Sequence, residues 1–167
     1  MSRGFVKEDD QEEIPFVPPR ADLPEGATNY VTQFGMDSLL KEKETLIKER
    51  ESLDSSNVKD YRISANHINA QLQLISERIG TAKIIEADDQ LSDEVRFGTT
   101  VTLKIKKTNK IQKFQIVGVD EADIKKNKIA FTAPIAKILI HKKVGEIAVL
   151  KLHNEERIFE ILKVELV

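Results

Sequence analysis

Leucine recurs every seventh residue at Leu39, Leu46 and Leu53, and Met36, Lys43 and Arg50 hold the companion heptad position. The seam therefore mixes apolar groups with the aliphatic stems of long charged side chains. This spacing predicts a helix over 32–54 with Thr32 as its N-cap. Asp54-Ser55-Ser56-Asn57 is turn chemistry that stops it. Ile68, Leu72, Ile75, Ile79 and Ala82 then step by four and three residues, predicting a second helix over about 60–82. Two amphipathic helices joined by a short polar turn pack as an antiparallel hairpin. A helix of about 22 residues reaches ~33 Å, and with no further helix to cover it the hairpin is expected to protrude. Half of a coiled-coil dimer is the competing reading, but about three heptads are few for a dimerisation rod.

From about residue 91 the period changes to two. Val101, Leu103 and Ile105 alternate with Thr and Lys, and Phe114 and Ile116 continue on a second strand across Lys107-Thr108-Asn109-Lys110. Lys128 to Thr132, Ile147 to Leu152 and Arg157 to Leu166 read as further strands. Between them lies Thr132 to Gly145, in which Pro134 opens a short apolar helix closed by Lys142, Lys143 and Gly145. The expected fold is α+β: an antiparallel helical hairpin, then a small antiparallel sheet domain with one short helix. The expected divisions are an acidic, proline-rich flexible tail over 1–29, the hairpin over 30–90 and the sheet domain over 91–167. Within the tail, Ile14, Phe16 and Val17 are the residues able to dock on the folded part.

Charge sharpens that division. Residues 1–90 carry 11 Lys and Arg against 18 Asp and Glu, whereas residues 91–167 carry 15 against 10. Opposed halves suggest modules that meet different surfaces. There is no cysteine, hence no disulfide framework and no thiolate site. No apolar stretch approaches a membrane span, and a cytoplasmic location is expected. His67, His141 and His153 are scattered away from carboxylates at ligand spacing, so no zinc site is expected. No phosphate loop or nucleophilic triad is present. A prolyl-isomerase pocket needs an aromatic cage, and Phe97, Phe114, Phe131 and Phe159 lie in strand patterns that read as core. The chain is not expected to be an enzyme. Lys104, Lys106, Lys107, Lys110 and Lys113, with Lys125, Lys126 and Lys128, protect sheet edges and favour an acidic protein surface over RNA, which would require stacking aromatics among them.

Several segments carry a family resemblance. They are Tyr30-Val31-Thr32 with Gly35, Arg78-Ile79 with Ala82 to Ile85, Val95 to Leu103, Ile116 to Asp123, and Thr132 to Gly145. In this order around a helical hairpin, residues 30–167 resemble the Gre-type (GreA/GreB) bacterial transcription elongation factors. The resemblance implies an FKBP-like C-terminal fold docked on the rim of the RNA polymerase secondary channel, with the coiled coil aimed at the active site. It also implies RNA polymerase as partner, indirect contact with transcript RNA and DNA, no membrane, and a monomer. The polymerase-binding residues would be Pro134, Ala136, Lys137, Ile140, Lys142 and Lys143, while Ile135, Ile138 and Leu139 pack on the sheet.

Cleavage-stimulating members of that family carry an acidic tip of the type Asp-Leu-Ser-Glu-Asn-Ala-Glu-Tyr, which helps the polymerase hold a second Mg²⁺. This chain has Val58-Lys59-Asp60-Tyr61 and Ala65-Asn66-His67 there, on an arm that reads as short. Asp54 and Asp60 are the carboxylates of the turn, with Glu51 one turn back, and Asp60 is expected to cap the second helix. No cofactor of its own is expected, only Mg²⁺ shared with the polymerase. Three readings stay open: a channel-occluding regulator, an active cleavage factor using Asp54 and Asp60, and a coiled-coil interaction protein without a polymerase role.

Overall fold

The computed structural model describes residues 14–86 and 93–166. The acidic run Glu8 to Glu13 and the expected boundary at 90/91 lie outside the described residues. Helix α1 spans Gln33–Glu51 and begins where Thr32 Oγ1 accepts the Gly35 amide at 2.9 Å. Lys48 and Arg50 in its last turn suit the negative end of the helix dipole. Helix α2 spans Val58–Thr81, and its cap is Asn57, whose Oδ1 accepts the Lys59 and Asp60 amides at 3.1 and 3.2 Å. This corrects the expectation for Asp60. A cap needs non-helical backbone, which Asn57 has, whereas Asp60 already lies in the first helical turn.

The hairpin seam follows the heptads. Leu39 and Leu46 bury against Ile68, Leu72 and Ile75, flanked by Met36, Ile47, Leu53, Ile79 and Ala82. Each such side chain is worth about 1.5–3 kcal/mol when fully buried. Two strands too short to show a period close the base: β1 (Tyr30–Val31) and β2 (Lys83–Ile84) pair in parallel, Tyr30 with Lys83 and Val31 with Ile84.

The remaining strands are β3 (Thr100–Ile105), β4 (Ile111–Val117), β5 (Lys128–Ala130), β6 (Ile147–Lys151) and β7 (Glu156–Glu165), in the order β5-β4-β3-β7-β6. The pairs β3–β4, β3–β7 and β6–β7 are antiparallel, as the alternation implies. The sheet is nevertheless mixed, because β5 runs parallel to β4. Between them the chain crosses over through a single 3₁₀ turn, Ile124–Lys126, and leaves it at Asn127 in the left-handed region (φ 57°).

Helix α3 (Pro134–Leu139) lies against the inner face of this curled sheet, where Ala136 and Leu139 join Val101, Leu103, Ile116, Phe159 and Ile161. Pro134 starts the helix as expected. Its end differs from the sequence reading: the helix stops at Leu139, and His141, not a glycine, takes the left-handed conformation (φ 72°). The following chain is drawn off to residues 93–95. The His141 amide donates to the Val95 carbonyl at 2.8 Å and the Val95 amide to the Lys142 carbonyl at 2.7 Å. Lys142 and Lys143 therefore lie beyond the helix and do not cap its dipole. The fold is α+β, a helical hairpin followed by a curled mixed sheet with one short helix.

Candidate functional site

Two turns of helix can bury only one face. In α3 that face is Ala136 and Leu139, and Ala136 is 0% exposed. Ala136 is thus core, which corrects its place among the binding residues. Ile140 is half-buried and also packs on the core. Pro134, Lys137 and Lys143 are exposed and Lys142 partly so, and they form the surface that remains of the sequence-predicted set. Beside them His141 Nδ1 lies 2.9 Å from Glu94 Oε1, and Arg96 Nη2 lies 3.7 Å from Glu94 Oε2. The His141 hydrogen bond is the main cause that holds the Glu94 carboxyl below its ordinary range.

At the far end of the hairpin, Asp54 is committed locally. Its Oδ1 accepts the Ser56 amide at 2.8 Å and its Oδ2 the Ser56 hydroxyl at 2.7 Å, and these two bonds lower its pKa. Asp60 stands exposed on the first turn of α2. Among the described residues no group of three or more His, Cys, Asp or Glu could hold a metal ion. Among these polar residues the tip also exposes apolar side chains: Val58 is 77% exposed, and Tyr61 and Ile63 are exposed beside it.

A third cluster went unassigned in the sequence: the joint between hairpin and sheet. Asp120 and Glu121 follow β4, with side chains only 8% and 4% exposed. Thr32 Oγ1, at the start of α1, donates to Glu121 Oε2 at 2.5 Å, and Lys128 Nζ reaches Glu121 Oε1 at 2.8 Å. The same ammonium sits 4.1 Å from the centre of the Phe34 ring, a cation–π contact. Asp120 Oδ1 accepts from Arg20 Nε at 2.8 Å, and Arg78 Nε lies 3.1 Å from Oδ2 as a charge contact. The rings of Tyr30, Phe97 and Phe131 meet pairwise with centroids 5.6 to 6.0 Å apart. Gly118 lets the Tyr30 carbonyl close in: a Cβ there would lie 2.6 Å from that oxygen. An isolated glycine after a run of strand residues is the sequence signal for such an approach. Nothing comparable marked Arg20.

The model of the C-terminal part of the GreA/GreB transcription elongation factors matches residues 90–166. The chain is 32% identical over 118 residues to the transcription elongation factor GreA of Maricaulis maris, covering 69% of this chain and 75% of that one. The chain belongs to the GreA/GreB family. It is also 38% identical over 100 residues to GreA of Rhodopseudomonas palustris, covering 60% of this chain and 63% of the relative. Of the solved structures, the Gfh1 protein (GreA factor homolog 1) of Thermus thermophilus covers 83% of this family member at 18% identity with a TM-score of 0.40. No helix among the described residues of this family member is long and apolar enough to cross a membrane.

Proposed function

We propose that this protein is an RNA polymerase-binding elongation regulator of the Gre class that inserts its hairpin into the secondary channel and occludes it without stimulating transcript cleavage. Family membership supports the partner, and the protruding hairpin, with α2 about 36 Å long at ~1.5 Å per residue, supports insertion. The observation that carries the occluding role is the tip, where Asp54 is taken up by Ser56 and Asp60 is the acidic residue of the first turn of α2. Docking falls to the C-terminal sheet through Pro134, Lys137, Lys142 and Lys143, whose positive charge steers approach to an acidic surface.

The test is a stalled, backtracked elongation complex with labelled RNA. Cleavage should proceed at the rate of polymerase alone, while pausing or elongation changes. Rapid cleavage by wild type that Asp54→Ala/Asp60→Ala abolishes would restore the cleavage-factor reading and overturn this one. Lys137→Glu/Lys143→Glu should weaken binding to core polymerase, with a steeper loss at low salt. Unchanged affinity would move the docking face elsewhere.

A further inference from the structure

Arg20 precedes both the hairpin and the sheet, yet it ties them together. Its Nη1 and Nη2 grip Glu42 of α1 at 2.7 and 3.1 Å, while Nε of the same planar group holds Asp120 at 2.8 Å. The grip on Glu42 is bidentate, the arrangement a guanidinium is shaped for and an ammonium is not. One residue on, the Ala21 carbonyl accepts from Arg78 Nη2 of α2 at 2.5 Å, and Arg78 also faces Asp120. Residues 20–21 thus touch both arms of the hairpin and the loop that leaves β4. We infer that this segment is a strap that sets the direction of the hairpin relative to the C-terminal sheet, with Arg20 as its positioning residue.

Leverage is what makes the contact directional. Among the described residues, Thr32 and Phe34 tie α1 to the sheet at its base. Contacts gathered at one end form a pivot, and a rod can rock about a pivot. Glu42 is eight residues beyond Phe34, about 12 Å along the axis, and Glu51 at the end of α1 is about 26 Å along it. A 3 Å release at Glu42 therefore becomes about 6 Å at the far end. The tie is also prepared in advance. Pro18 and Pro19 precede Arg20 and Pro24 follows it, restricting the backbone so that less freedom is lost on docking. Of the apolar residues expected to dock, Ile14 and Phe16 are almost fully exposed and Val17 is half-buried, so the segment is held chiefly by its polar contacts. Charge is balanced so that the strap can detach without collapse. Two guanidinium groups face two carboxylates, and Asp120 keeps Arg78 when Arg20 leaves.

The consequence rests on the proposed channel role, since a hairpin that swings no longer points where docking aims it. The experiment does not. The chain has no cysteine, so full-length protein with Ser55→Cys and Thr108→Cys takes one spin label at the tip and one on the β3–β4 turn. Pulsed dipolar spectroscopy then reads the distance between them. Wild type should give one narrow distribution. Arg20→Ala and Glu42→Ala should each broaden or shift it by several ångströms while circular dichroism and the melting temperature stay close to wild type. Arg20→Lys should recover only part of the narrow distribution, which separates a directional grip from simple charge. A distribution identical to wild type in both alanine variants overturns the strap. Binding of the same labelled proteins to core polymerase is scored separately: loss of wild-type binding refutes the channel role alone, and the distances still decide the strap.

Discussion

Gly118→Ala places one methyl group against a wall that cannot retreat. The new carbon would sit 2.6 Å from the Tyr30 carbonyl oxygen, whereas real Cβ atoms essentially never come within 3.0 Å of such an atom. Something must move by about half an ångström. Tyr30 is pinned from several sides. Asn29 before it accepts the Lys83 amide at 2.8 Å, Val31 after it accepts the Ile85 amide at 3.0 Å, and its ring is wedged against Phe97 and Phe131. Overpacking of this kind costs about 1–3 kcal/mol. At roughly 2–4 °C per kcal/mol for a chain of this size, the melting temperature should fall by about 2–12 °C. The control is Gly80→Ala, in the last turn of α2 with nothing within 4 Å of the added carbon. Relief of glycine's entropy should stabilise that variant by about 0.5–1 kcal/mol. Both are read by calorimetry at one protein concentration. Gly118→Ala melting at or above wild type would show that hairpin and sheet do not press together there, and the close-packed joint would have to be abandoned.

Asn57→Ala should cost about 1 kcal/mol in chemical denaturation, since it removes the acceptor for two amides of α2, and Asp60→Ala should cost less. A larger loss at Asp60 would reverse the cap assignment. Glu165 is held at a pKa of about 2 by hydrogen bonds from Lys163 and then Lys113. A depressed folded-state pKa contributes stability that is present above the unfolded value near 4.5 and lost as pH falls toward 2. Glu165→Gln should therefore weaken wild-type-relative stability at neutral pH by a small amount and close the gap between pH 4.5 and 2. A gap independent of pH would assign the effect to packing.

Much of the fold was legible because its signals are periodic. Seven-residue leucines and alternating strand residues reflect burial on one face, which any solvent-facing helix or sheet must show. The parts that escaped have no period. Strands β1 and β2 are two residues each, the parallel β4–β5 pairing depends on how ten intervening residues cross over, and the α3 terminus is set by hydrogen bonds to residues 93–95. The site divided along the same line. Pro134 was readable as a helix start, but which face of a two-turn helix turns inward depends on the sheet beneath it, so Ala136 was misplaced. Arg20 was unreadable for a simpler reason: its partners are 22 and 100 residues away.

The two-residue pairing of Tyr30–Val31 with Lys83–Ile84 separates reach from grip. The chain leaves for the tip and comes back at neighbouring positions of one small ladder, so whatever lies between is a closed excursion. Adding one heptad to each arm would carry the tip outward by about 10 Å and leave the ladder and the C-terminal sheet unaltered. Arm length can then drift in descent, or be set by an engineer, without any compensating change in the C-terminal sheet. The hairpin is, in this architecture, a variable dimension on a fixed mount.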